Sequence, residues 1–291
     1  MKLTRLKLKN KYKILILILI ILISLYIYAH KIEPNKLVVN EYKVENKNLP
    51  QHFHGVKLVH ISDLHYGRTI KKKQLKRIVN KINLIEPDIV VFTGDLIDKD
   101  VPLTTEITNE LITELKKINV TVSKYAVSGN HDKFFPAYEN IITKSRFSLL
   151  DNDYDLIYYK DYEPILISGL NTNDIDIKKA MAYLNKEETD EDIKKEVINY
   201  KIAIMHMPDY ITDLNKYKID LVLAGHSHNG QVRIPLIGSL LKPIGAKKYN
   251  KPYYQLNNTD LFISAGLGTS ILELRTFNKP SINFYRLAKS K

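Results

Sequence analysis

Val56-Lys57-Leu58-Val59-His60-Ile61-Ser62-Asp63-Leu64-His65 sets the reading of this chain. Its first six residues form a short apolar run suited to a buried strand, and an Asp and a His follow where the strand has to turn. Outward from this stretch the same arrangement recurs four times. Residues 89–92 lead into Gly94-Asp95-Leu96-Ile97-Asp98, and 125–127 into Gly129-Asn130-His131-Asp132. Residues 202–204 lead into His206, and 221–223 into Gly225-His226-Ser227-His228. Gly94, Gly129 and Gly225 each suit a tight exit from a strand, where a positive φ or a close backbone approach is needed.

Between these runs the periodicity changes. Amphipathic helices are expected over 71–86, 105–118 and 136–145, and further strands near 156–159 and 165–168. The Lys- and acid-rich stretch 185–196 reads as a solvated helix, not a site. After Gly230 the chain turns β-rich, with strands expected over 232–234, 261–264 and 282–285. Strands alternating with helices imply an α/β domain with a packed sheet core. In such sheets ligands gather beyond the carboxyl ends of the strands, so the five turns are expected to share one cleft.

The net charge of the 291-residue chain is +12. Six positive charges (Lys2, Arg5, Lys7, Lys9, Lys11 and Lys13) precede Ile14 with no acid among them, which leaves +12 − 6 = +6 for the remainder. That remainder is dispersed, without a basic stripe interleaved with aromatics, so no nucleic-acid partner is expected. Cysteine is absent, which excludes disulfides, thiol chemistry and thiolate metal sites. Ile14 to Ala29 is rich in Ile and Leu, and Tyr12, Tyr26, Tyr28 and His30 suit the interfaces on either side. The expected organisation is a basic cytoplasmic segment over 1–13, a membrane anchor over 14–30, a linker over 31–54 and one folded domain over 55–291. Basic residues on the first flank hold that end in the cytoplasm, which places the domain on the extracytoplasmic side of the cell membrane.

Four histidines, two or more aspartates and an asparagine form a mixed nitrogen and oxygen donor set. It suits borderline divalent ions such as manganese, iron or zinc better than calcium. Seven ligands exceed what one tetrahedral ion takes but fit two ions with a shared carboxylate. Two ions about 3.5–4 Å apart suit in-line displacement at phosphorus by an activated water. Taken singly, Asp-x-His is a common surface dipeptide and His206 would pass for a core histidine. Five such turns, each placed after a strand, have no packing rationale.

These motifs resemble those of the calcineurin-like metallophosphoesterase superfamily over residues 56–286. The resemblance implies a four-layered α/β/β/α sandwich and hydrolysis of phosphomonoesters or phosphodiesters. It implies Asp63, His65 and His228 as ligands of one metal, Asn130, His206 and His226 as ligands of the other, and Asp95 as the bridge. His131 takes the role of an acid or phosphate contact that binds no metal, supported by Asp98. Gly225–Gln231 with Arg233 and Pro235, then Gly266–Ser270 with Arg275 and Pro280, is similar to a bacterial group of exported or membrane-bound phosphoesterases. That group often carries Thr where Ser227 stands and Gly where Asn229 stands. The anchor favours a membrane-associated or lipid-linked phosphoester, with a nucleotide-sugar-lipid pyrophosphate among the candidates. A metal-binding scaffold without turnover is the alternative in another class. Arg68 reads as a solvated side chain, and 266–270 as either a structural turn or a cleft wall.

Overall fold

A computed structural model describes residues 2–185 and 196–291. The helix expected over 185–196 lies, except at its two ends, outside the described residues. The strands are β1 (Val38–Asn46), β2 (Lys57–Ile61), β3 (Ile89–Phe92), β4 (Ser123–Ala126), β5 (Ser148–Leu149), β6 (Asp153–Ile157), β7 (Ile165–Leu170), β8 (Lys201–Met205), β9 (Leu221–Ala224), β10 (Arg233–Ile234), β11 (Gly238–Ser239), β12 (Tyr253–Leu256), β13 (Thr259–Ile263) and β14 (Ser281–Lys289). One six-stranded sheet has the order β1-β14-β2-β3-β4-β5, the other β12-β13-β9-β8-β7-β6, and β10 pairs with β11 as a separate hairpin. Strands β2 to β5 run parallel, as do β7, β8, β9 and β13. Antiparallel partners flank them: β14 beside β2, β6 beside β7, and β12 beside β13.

Side chains alternate between faces along each strand, and in the central strands β3, β8 and β9 both faces are buried, so these read as near-continuous apolar runs. Leu58, Val91 and Tyr125 point between the sheets to meet Ile167, Ile204 and Leu223. The opposite face of the first sheet carries Val59, Ile61, Val90 and Phe92. Three helices cover it: α2 (Lys72–Ile85), α3 (Thr105–Leu115) and α4 (Tyr138–Lys144). Helix α2 buries Leu75, Ile78, Val79 and Ile82, the single stripe that a 3.6-residue period produces. On the far side of the second sheet, Ala203, Met205 and Val222 pack against Ile211, Leu214 and Tyr217 of a 3-10 segment, Pro208–Tyr217. The short helical turns Ile177–Ala180 and Ala182–Asn185 lie in the same layer. The order of layers is α/β/β/α.

At the amino end helix α1 (Lys2–Ile27) is continued by a wide π-helical turn over Tyr28–Ile32 and a tight 3-10 turn over Glu33–Asn35. By length and composition it can cross a membrane, and its apolar stretch is almost wholly exposed. The expectation of a linker over 31–54 is corrected. Strand β1 pairs in parallel with β14 over nine residues, from Val38 against Ser281 to Asn46 against Lys289. Val44, Leu49 and Phe53 are buried with it in the core between the sheets. As an edge strand it leaves Glu41, Lys43 and Glu45 to solvent, and this polar face is what makes the segment look like a stalk.

Candidate metal centre

Every candidate ligand stands on the first turn beyond a strand. Asp63 and His65 follow β2, Asp95 follows β3, and Asn130 follows β4. From the second sheet, His206 follows β8, while His226 and His228 follow β9. The turns are sharp enough to put five of them in the left-handed region: Asp63 (φ 51), His65 (φ 43), Asp95 (φ 58), His226 (φ 64) and His228 (φ 47). Such backbone costs on the order of 1–3 kcal/mol per residue and persists only where neighbours hold it. They do hold it. Asp63 N–H donates to Gly94 O at 2.9 Å and His65 N–H to Asp95 O at 3.1 Å. The buried Asp132 carboxylate accepts from the N–H groups of Asp95 (2.8 Å), Leu96 (2.9 Å) and Gly129 (2.8 Å). A Cβ on Gly129 would collide with the Asp95 carboxylate, so only glycine lets the two loops close.

The donor atoms converge without an intervening side chain. His65 Nε2 lies 3.1 Å from His228 Nε2 and 3.6 Å from Asp95 Oδ2, and His228 Nε2 lies 3.4 Å from Asp63 Oδ1. On the other side of Asp95, His206 Nε2 is 3.3 Å from its Oδ2 and 3.1 Å from Asn130 Oδ1. His226 Nδ1 is 3.2 Å from His206 Nε2. Ligands about 2.0–2.2 Å from one ion stand roughly 3.0–3.5 Å from each other, so these spacings fit the edges of a coordination polyhedron. Tautomers agree with that. His206 Nδ1–H donates to Thr93 O at 2.7 Å and His226 Nε2–H to Ile244 O at 2.8 Å, each leaving the inward nitrogen with a free lone pair.

Electrostatics set the protonation of the site. Burial would raise Asp95, but the facing imidazoles of His206, His65 and His131 outweigh it and hold the carboxyl well below its usual range. Burial lowers His206, yet Asp95 and Asp63 more than compensate and push it up to about 9. Burial and the charge of His206 push His226 down to about 4, and burial with His65 and Arg275 depresses His228. Burial and Asp95 together push Asp132 up to about 7 against its three backbone hydrogen bonds. An anionic Asp95 beside two imidazoles that burial keeps neutral, His226 and His228, is a donor set that fits a divalent cation, which would displace the proton that Asp95 and Asp63 hold on His206.

Two residues sit differently from the sequence reading. Asp98 makes no direct bond to His131, which feels it only as a more distant negative charge. Its Oδ2 lies 3.5 Å from Nδ1 of His65 and 3.5 Å from Nε of Arg68. His131 Nδ1 instead accepts the Lys99 N–H at 3.2 Å, which leaves the proton of the neutral ring on Nε2, 3.9 Å from Asp95 Oδ2. Burial also lowers the pKa of His131, against the pull of Asp95. A ring so held is a hydrogen-bond donor to an oxygen in the cleft more readily than a source of a second proton. Arg68, expected in solvent, is mostly buried, pairs with Asp98 and Asp100, and lines the cleft. That cleft has a volume of about 480 Å³ and opens between His131, Asn130 and His226 on one side and Leu241, Pro243 and Ile271 on the other.

Behind the ligands, Gly266 (φ 71) presses on His228 and Asp63, where an added Cβ would stand 2.9 Å from the His228 ring. Residues 266–268 therefore buttress the metal loops. The fully buried Arg275 donates to the carbonyls of Gly266, Gly268 and Asn278. Asn278 donates to His228 O, and its own N–H donates to the Glu33 carboxylate at 2.6 Å. Asn229 (φ 48) takes the left-handed turn that glycine would take most cheaply, a role asparagine also fills. Asp132, Arg275, Asn278 and Glu33 were not legible as site residues. The position of Asp132 directly after His131 offered a signal, as did Arg275 beyond Gly266–Ser270, but neither residue's role could be read from it.

Comparison with known proteins decides the family. Residues 56–230 match the family model described as calcineurin-like phosphoesterase. The chain belongs to the calcineurin-like phosphoesterase family. The metallophosphoesterase YkuE of Bacillus subtilis is 30% identical over 266 residues, covering 89% of this chain and 88% of that protein. The UDP-2,3-diacylglucosamine pyrophosphatase LpxG of Chlamydia muridarum is 27% identical over 246 residues, covering 72% and 74%. A Danio rerio transmembrane protein with a metallophosphoesterase domain is 25% identical, and the match spans 86% of this chain and 56% of that one. This calcineurin-like phosphoesterase thus joins a buried cluster of His and Asp donors to a helix able to cross a membrane.

Proposed function

We propose that this metallophosphoesterase hydrolyses a phosphodiester or pyrophosphate bond in a lipid-linked substrate, at a two-ion centre on the outer side of the cell membrane. The observation that carries this reading is the convergence of two donor groups on either side of Asp95: Asp63, His65 and His228, and His206 and His226 with Asn130. Asp95, standing between the two groups, would offer one carboxylate to both ions. Bound there, manganese, iron or zinc supplies Lewis-acid polarisation of phosphoryl oxygens and a water activated at neutral pH.

The chain's own residues do the rest. The anionic Asp95 balances the positive charge between the two donor groups. Hydrogen bonds to the carbonyls of Thr93 and Ile244 fix the rings of His206 and His226, and the Asp98 carboxylate faces His65 Nδ1 at 3.5 Å. His131 Nε2–H points into the cleft and stabilises charge on a phosphoryl or leaving oxygen. Arg68, held by Asp98 and Asp100, presents positive charge to the phosphate. Resemblance to the pyrophosphatase of diacylated UDP-glucosamine and the apolar residues at the cleft mouth favour a lipid-linked substrate.

The test uses the full chain purified in detergent and reconstituted with manganese, iron and zinc. Elemental analysis should find about two ions per chain, and hydrolysis should extend to lipid-linked nucleotide pyrophosphates or lipid phosphodiesters. One ion or none removes the dinuclear reading. Turnover confined to water-soluble aryl phosphates removes the lipid-linked one.

A further inference from the structure

A second surface links the cleft to the anchor. Leu236, Ile237, Leu241, Ile244, Ile271 and Phe277 are all exposed, Leu236 completely. Soluble surfaces rarely gather so many large apolar side chains without an occupant. Hydrogen bonds make the group continuous with the end of the anchor. Arg275 N–H donates to Ala29 O at 2.9 Å, and Phe277 shares a cavity wall with Tyr28. Thr276 accepts from Arg233 N–H at 3.1 Å, and Arg233 opens the β10–β11 hairpin that carries Leu236 and Ile237. At the other end the Gln231 side-chain amide clamps Ser270, Leu272 and Leu274, while Leu241 and Ile271 line the cleft.

The backbone adds an independent observation. Leu236 (φ 67), Ile271 (φ 61) and Phe277 (φ 50) all occupy the left-handed region, where bulky side chains are costly and Gly or Asn is cheap. In water these side chains touch little that offsets the cost. Charge points the same way: between 231 and 280 there are seven Lys and Arg against two acids, and Lys242, Lys247, Lys248 and Lys279 are exposed. Apolar side chains set among lysines match the boundary between acyl chains and anionic headgroups.

We propose that this face is seated in the outer leaflet beside the anchor, with the bilayer as its occupant, so that the cleft opens at headgroup level. The inference deepens the function proposed above and rests on the anchor spanning that bilayer. Because the chain has no cysteine, Leu236→Cys gives a single site for an environment-sensitive fluorophore. Tyr162→Cys, exposed just before β7 at the opposite end of the sheets, gives the reference. The full chain is reconstituted into phosphatidylethanolamine–phosphatidylglycerol vesicles containing lipids with nitroxide near the acyl carbonyl. The label at 236 should shift to the blue and be quenched about threefold or more beyond the label at 162, because interfacial side chains lie about 5–10 Å into that boundary. Adding Ile237→Glu should reduce the quenching. Equal quenching at both positions overturns the proposal. Concentration-dependent energy transfer between 236 labels without nitroxide quenching also overturns it, in favour of a second copy as the occupant. Neither readout depends on turnover, so a failure here leaves the phosphoesterase reading standing, and a failure of hydrolysis leaves the insertion measurable.

Discussion

Removing the Asp95 carboxylate deprives His65, His131 and His206 of the counter-charge they share. Asp95→Ala is therefore expected to abolish hydrolysis and to lower metal content, measured by elemental analysis of the purified variant. His131→Ala should keep its metal and lose about 10²–10³-fold in kcat, the scale for removing one donor to a developing oxyanion. Loss of an ion instead would make His131 a ligand. Asp98→Asn separates the two carboxylate roles that the sequence could not. Because Asp98 orients His65, the variant should bind metal about 10–100-fold more weakly. A normal metal affinity with a His131-like drop in kcat would restore the pairing expected from sequence. The order of motifs and the strand preceding each one were readable because chemistry at strand ends interrupts apolar runs. Which carboxylate faces which imidazole depends on how loops from two sheets meet across a cleft, and no spacing within one loop encodes that.

Helix α2 and strands β2, β3, β8 and β9 were legible because each carries a local period and is buried on the faces that period implies. Strand β1 was not, since Val38 finds its partner in Ser281 at the far end of the chain and half its side chains face water. Its removal exposes the edge of β14 and the apolar contacts of Val44 and Leu49. A fragment starting at Gln51 is thus expected to melt at least about 5 °C below one starting at Lys31, where each kcal/mol corresponds to roughly 2–4 °C for a domain of this size. Scanning calorimetry of the two fragments at equal metal loading checks this. Equal melting temperatures would return 31–50 to the status of a stalk.

Two properties belong to the molecule as a whole. His60 is buried beneath the metal loops, bonded to Thr93 Oγ1 at 2.8 Å, and burial pushes it down to about 3. Its unfolded pKa is near 6.5, so between about pH 3 and 6.5 the unfolded chain binds the extra proton. Stability from His60 is then complete above that window and falls with acid by up to about 1.4 kcal/mol per pH unit. His206, raised to about 9, works in the opposite sense: its contribution is complete below about 6.5 and is lost as pH rises through 9. Denaturant melts of chelator-treated protein from pH 7 to 4 should therefore be less steep for His60→Gln than for the wild type; equal slopes would remove His60 as a cause. On topology, protease added to wall-free cells should digest the domain while the membrane is intact, and full protection would place it in the cytoplasm. The bonds from Ala29 to Arg275 and from Glu33 to Asn278, with the β1 ladder behind them, also have a mechanical meaning. A catalytic head on a floppy tether sweeps a hemisphere and samples targets at any altitude. A head tied this closely to a helix that spans the bilayer, as proposed above, would carry its site at a near-constant elevation, and the distance of a phosphate from the bilayer would then act as a ruler by which substrates are chosen.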